Sequence, residues 1–161
     1  MAETGLQATI APQGELEIGS PIRIVLVVTN GGDRPVTLPN PDMGTPPDEL
    51  AWTFGQETYQ IATLKWLGLL ALAVVDPNGE TLDDIGPVPW TSPILRPDLE
   101  LAPGESMELS MTLTDFVELP APGLYEVDVG YGPPSGRIWA HTELPVHKGR
   151  AEGRGARSSQ D

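Results

Sequence analysis

The chain has 161 residues, 39% of them apolar, with no cysteine and a formal net charge of −14. That length suits one domain whose core needs no staple or metal, and the missing thiols exclude a disulfide framework, a thiolate metal site and a cysteine nucleophile. Five of the nine basic residues but 21 of the 23 acidic ones lie in residues 1–147, so this body carries −16 and repels nucleic-acid phosphates and anionic membrane surfaces.

The acidity serves solubility first, with a basic protein partner or cations as the alternative. Eighteen glycines and eighteen prolines are about twice ordinary usage. They lie between apolar runs, which punctuates a folded chain. Met1–Gly5 has no cationic start, Ile22–Val28 is too short for a leader core, and Trp66–Val75 is ten residues, half a membrane helix. No signal peptide being evident, a cytoplasmic location is favoured.

In chain order, Leu6, Ala8 and Ile10 alternate with polar residues up to Pro12, a first strand at an edge. Gly14–Gly19 forms a short alternating piece. Ile22–Thr29 is the clearest strand, rich in β-branched residues and closed by Asn30-Gly31-Gly32-Asp33. Val36–Leu38 is a further short strand, and Asn40 to about Asp48 is a proline-rich loop. Thr58–Val75 holds an apolar run long enough for a helix. Gly68 interrupts it and Asp76-Pro77-Asn78-Gly79 ends it in a hairpin turn, which favours two strands.

Residues 82–98 carry Pro87, Pro89, Pro93 and Pro97, which forbid a central strand or helix interior. Met107, Leu109, Met111 and Leu113 then alternate with Glu108, Ser110 and Thr112, a strand with one wet face. Tyr125, Val127 and Val129 alternate with Leu124, Glu126 and Asp128 after the turn Pro120–Gly123. Gly132–Gly136 is a hairpin loop, and Ile138–Val146 is the last strand. From Lys148 onward nothing apolar anchors the chain, so 1–147 reads as the domain and 148–161 as a disordered tail. About 7–8 short strands between Pro/Gly turns describe an all-β, antiparallel sandwich with long Pro-rich loops, with a small barrel as its rival.

Leu101-Ala102-Pro103-Gly104-Glu105-Ser106, Asp115-Phe116 and Pro122-Gly123-Leu124-Tyr125-Glu126-Val127 together resemble the late strands of bacterial immunoglobulin-like domains. The resemblance is to those found beside secreted peptidases and in intracellular proteinase-inhibitor-like proteins, and it touches about half the chain. It implies an immunoglobulin-like fold, with the Tyr125 ring against the core and its hydroxyl tied to turn backbone. No catalytic residue carries over. Inhibition of a peptidase by an exposed loop is the function it adds.

Candidate chemistry is sparse. His141, Glu143 and His147 share one parity of the last strand, but two histidines fall short of a zinc ligand set. Asp76-Pro77-Asn78-Gly79-Glu80 supplies oxygens like the start of a calcium loop, yet a tight turn needs the same residues for backbone reasons. No carboxylate pair, serine triad or phosphate loop is selected by spacing. The expectation is therefore no enzyme, no cofactor and no metal. Trp52, beside the first Pro-rich loop, and Trp90, inside the second, either cap the sandwich or anchor a partner. With Asp42, Asp48 and Glu49 they form the candidate partner-binding set, on loops 39–52 and 86–97. The function expected is a non-catalytic protein-interaction or accessory module whose partner is another protein, a basic one by charge. Peptidase inhibition and a structural homo-oligomer formed by self-association are the alternatives.

Overall fold

A computed structural model describes residues 5–42, 48–86 and 97–148, with helix side chains described from residue 57 onward. The expected tail, apart from Lys148, lies outside these residues. Among the described residues, eight strands and one α-helix follow in order: β1 (Leu6–Gln13), β2 (Arg23–Asn30), β3 (Val36–Leu38), α1 (Asp48–Trp66), β4 (Leu70–Val75), β5 (Leu99–Leu101), β6 (Ser106–Thr112), β7 (Gly123–Tyr131) and β8 (Ile138–Val146). Every strand ladder is antiparallel.

Two three-stranded sheets, β1-β2-β6 and β4-β7-β8, enclose the core, and β3 and β5 form a separate pair. With β4 taken as strand C, these are the A-B-E and C-F-G orders of an immunoglobulin-type sandwich. The alternating strands supply its two inner faces. Ile24, Leu26 and Val28 come from β2, Met107, Leu109 and Met111 from β6, and Tyr125, Val127 and Val129 from β7, all buried. Tyr125 makes the corner that the resemblance implies. Its hydroxyl donates to the Ala121 carbonyl at 2.5 Å and accepts from the Ala121 N–H at 3.2 Å, while the ring is fully buried. No cysteine pair joins these sheets, so apolar packing between their inner faces is the main force that holds them.

The two strands expected over 58–75 are corrected. Residues 48–66 are helical and only β4 is a strand. Gly68 does divide the segment, but what it ends is a helix. It takes φ +80°, its N–H donates to Lys65 O at 3.1 Å, and Leu69 N–H donates to Leu64 O at 2.9 Å. This is the Schellman arrangement in which a left-handed glycine satisfies the last carbonyls. Thr58, Tyr59, Ile61, Ala62, Thr63 and Leu64 are all buried. A helix segment enclosed on nearly every side shows no clean 3.6-residue stripe, which is why its period misleads.

α1 packs against β4 and β6, each an edge of its sheet. Covering them with a helix removes two templates for unwanted strand pairing. On the β1–β8 side the chain closes differently: Ile18 N–H donates to His147 O and His147 N–H to Leu16 O, at 2.9 and 2.7 Å. The piece at 14–19 is thus a bridge between sheets.

Candidate functional site

At the end of the sandwich where β2 begins and β6 stops, three chain segments, 17–23, Ile85 and 112–119, leave a cleft of roughly 850 Å³. Backbone bonds fix its walls. Leu113 N–H donates to Ile22 O at 2.7 Å, Ile22 N–H to Thr114 Oγ1 at 3.2 Å, and Ile85 N–H to Phe116 O at 2.7 Å. A short 3-10 turn, Leu113–Asp115, breaks the run of β6 and turns Val117 and Leu119 toward the opening. The apolar lining is Ile18, Ile85, Val117 and Leu119. Of these, Ile85 is 60% exposed.

Among the described residues the charged lining is mostly acidic: Glu17, Asp115 and Glu118 stand against one cation, Arg23, beside the hydroxyls of Ser20, Thr112 and Thr114. Arg23 is already engaged. Its guanidinium forks onto Glu57 with bonds of 3.0 and 2.7 Å and donates to Thr112 Oγ1 at 2.8 Å. The hydrogen bond and charge of Glu57 raise the Arg23 pKa above its already high ordinary value. Asp115 accepts from the buried Thr58 hydroxyl at 2.6 Å, which fastens α1 to the same wall. No histidine, lysine or cysteine lines the cleft, and the hydroxyls of Thr112 and Thr114 are held in structural bonds. Chemically this arrangement can seat an apolar group and attract a positive charge.

The residues singled out in sequence fall elsewhere. Asp42 is exposed beyond β3, its N–H donating to Asn40 Oδ1 at 3.0 Å. Asn40 Nδ2 donates to Pro97 O at 3.2 Å, and Leu38 pairs with Leu99, so the feet of the two Pro-rich loops do meet. Their meeting point is the end of the sandwich opposite the cleft, where the Tyr131 hydroxyl donates to Pro39 O at 2.6 Å. Asp48, Glu49 and Trp52 belong to the start of α1, which corrects the placement of 48–52 in a loop; their side chains lie outside the described set. Trp90 also lies outside the described residues.

The weaker candidates resolve into local structure. Asp76 is buried and its Oδ1 accepts the N–H groups of Asn78 and Glu80, both at 2.9 Å, with Gly79 at φ +87°. That is turn chemistry. His141 bonds Asp128 at 2.8 Å, Glu143 lies opposite Glu126, and the His147 backbone ties into 16–18. Among the described residues no three metal-capable side chains cluster.

Two features escape a reading of aromatic residues in loops. Trp139 is 52% exposed on β8; the alternation of Ile138–Val146 already puts it on the wet face with His141 and Glu143. The cleft itself has no motif, since its segments are brought together from separated parts of the chain.

No family model matches this sequence, and no curated protein does either. Among solved structures, a CARDB domain from Pyrococcus furiosus, in complex with di-metal ions, is similar at TM-score 0.42 and 10% identity, over 89% of this chain and 94% of that one. BslA, a bacterial hydrophobin, is similar at TM-score 0.36 and 15% identity, over 90% of this chain and 95% of its own. A beta-glucosidase from Listeria innocua is similar at TM-score 0.38 and 12% identity over 89% of this chain, which spans 16% of the enzyme. Likenesses of this size carry no inference about ligand, activity or assembly.

Proposed function

We propose that this protein is a non-catalytic interaction module whose sandwich-end cleft receives a segment of a basic partner protein. The carrying observation is the cleft's composition: Ile18, Ile85, Val117 and Leu119 offer apolar contact, while Glu17, Asp115 and Glu118 line the same cleft as an arginine already bonded to Glu57. An apolar side chain next to a lysine or arginine matches both halves. The −16 body adds long-range attraction for such a partner and opposes close approach of a second copy. Structural homo-oligomerisation is accordingly the weaker reading.

Amine crosslinkers are poorly suited as a test. Lys65, the body's single lysine, is 15% exposed, ion-paired with Asp84 and set over the Phe116 ring. Photo-crosslinking residues placed at Ile85 and Glu118, used in cells and read by mass spectrometry, avoid this. Partner peptides pairing a basic with an apolar residue at both positions are expected. Capture at neither position, or capture unchanged when Leu119→Asp fills the cleft with charge, would overturn the proposal.

The finer reading, peptidase inhibition through a loop, draws only on the resemblance of the turn-and-strand signatures. A panel of serine, cysteine and metallopeptidases keeping full activity beside the protein would remove it.

A further inference from the structure

The outer face of the β4-β7-β8 sheet is a second surface, separate from the cleft. Strand register sets its rows: Leu124 beside Pro145; Val75, Glu126 and Glu143; Ala73, Asp128 and His141; then Ala71, Gly130 and Trp139. An outer sheet face is ordinarily solvated and carries polar, mutually complementary side chains. This one departs from that in three respects.

First, Glu126 and Glu143 are direct cross-strand partners, and like charges so placed repel. Neither glutamate has an ion-pair partner among the described residues, whereas Asp128 in the next row is paired with His141. Second, large apolar side chains flank the acidic rows. Leu124 is 48% exposed at one end and Trp139 52% at the other, separated along the strands by about 20 Å. Third, the nearby cation is occupied. Arg137 donates to Gly132 O at 3.0 Å and to Gly68 O at 2.7 Å, and lies against the Trp139 ring. A Cβ on Gly130 would come within 2.5 Å of Arg137 and 2.9 Å of Trp139, so these two side chains lie directly across that strand.

We propose that this face docks an extended, basic segment of another protein, presenting apolar, basic, basic and apolar side chains on one side. The spacing is the argument. Alternate residues of an extended chain recur at the same interval as the rows of a sheet. Such a segment therefore sets its end residues on Leu124 and Trp139, and its two cations over the Glu126–Glu143 and Asp128–His141 rows. A second copy of this chain would bring carboxylates onto carboxylates. The proposal does not depend on the cleft.

The probe is a capped peptide, Leu-Thr-Lys-Thr-Lys-Thr-Leu, titrated into the 15N-labelled full chain at low salt, with the same peptide bearing Glu for Lys as control. Saturable shifts confined to 124–130 and 138–145 are expected, absent with the control. Glu126→Gln with Glu143→Gln, which relieves repulsion and so keeps the fold, should weaken binding about two- to fivefold per charge. Trp139→Ala should weaken it further, and Ile85→Asp in the cleft should leave it unchanged. No saturable shift, equal affinity in the double glutamine variant, or the same shifts from millimolar calcium alone would overturn it. Shifts confined to Ile85 and 112–119 would overturn it too, while favouring the cleft.

Discussion

The outward faces of the two three-stranded sheets are finished in opposite ways. On β2-β6, the rows at the two ends of the ladder pair complementary polar groups, while Ser110 and Glu108 between them face Val25 and Val27. Thr29 and Ser106 share a 2.7 Å hydroxyl bond in register, and Arg23 joins Thr112 across the ladder while forking onto Glu57 of α1. On β7-β8, one pair is complementary, His141 with Asp128, and the next sets glutamate against glutamate. The first face ties its end rows together within the chain and packs against a helix at β6. The second holds the Glu126–Glu143 pair, which has no ion-pair partner among the described residues, between the exposed Leu124 and Trp139. Cross-strand pairing on a wet face thus separates surface tuned for folding from surface left for encounter.

Gly130→Ala should break the second face most severely. The new methyl group meets Arg137 and Trp139, forcing Arg137 off two backbone carbonyls, and overpacking of this kind costs about 1–3 kcal/mol. Urea denaturation should show the loss as a lower midpoint with an unchanged slope. Thr29→Ala on the first face removes one exposed hydroxyl bond and should cost no more than about 1 kcal/mol. An equal effect of the two substitutions would show that Arg137 and Trp139 are not fixed across the sheet.

Arg23→Ala tests whether the first face is held by its charges. The pair is bidentate, but its side chains are 40% and 35% exposed, so solvent screening limits the coupling to about 0.5–1 kcal/mol. A double-mutant cycle of Arg23→Ala and Glu57→Ala, run at low and high salt, measures it. Coupling that fails to shrink with salt would point to hydrogen-bond geometry over charge. Glu143→Lys on the second face should have the opposite sign. Replacing a like-charge partner of Glu126 with an opposite one should raise stability by about 0.2–1 kcal/mol, a gain that also fades with salt.

The legibility of the fold follows the same division. β6, β7 and β8 can be read from sequence because each has one wet and one dry face, and the period of two survives. The buried half of α1 has no wet face to mark its period, and Gly68 can signal either a break or a cap until its φ is known. β5 is three residues following Pro97; only pairing with β3 makes it a strand. The Tyr125 corner is legible only through the resemblance to immunoglobulin-like domains, which ties its hydroxyl to the backbone of the neighbouring turn. The cleft is not, since Ile18, Ile85 and Leu119 become neighbours only after folding. Trp139 lay within reach of parity alone, but tryptophans beside proline-rich loops draw attention first.

The smallest effect concerns the one complementary pair of the second face. Asp128, through its hydrogen bond first and then its charge, raises the His141 pKa, with further upward contributions from Glu126 and Glu143. β4 adds only Ala73 to that row, so these three carboxylates are the groups that set the titration. The folded pKa stands above the unfolded value of about 6.5. The pair's stabilisation is therefore complete below the unfolded value and is lost as pH rises through the folded one. The imidazole is solvent-exposed, so the shift should be visible by NMR and scarcely by denaturation. Asp128→Asn should lower the His141 midpoint more than Glu143→Gln does, and the order reversed would mean that the acidic face acts on His141 as a diffuse field and the 2.8 Å bond contributes little. A basic segment docked over this row would compete with the protonated imidazole for Asp128. Its binding should consequently be stronger above the His141 midpoint than below it, because the neutral imidazole no longer holds Asp128 against the incoming cation.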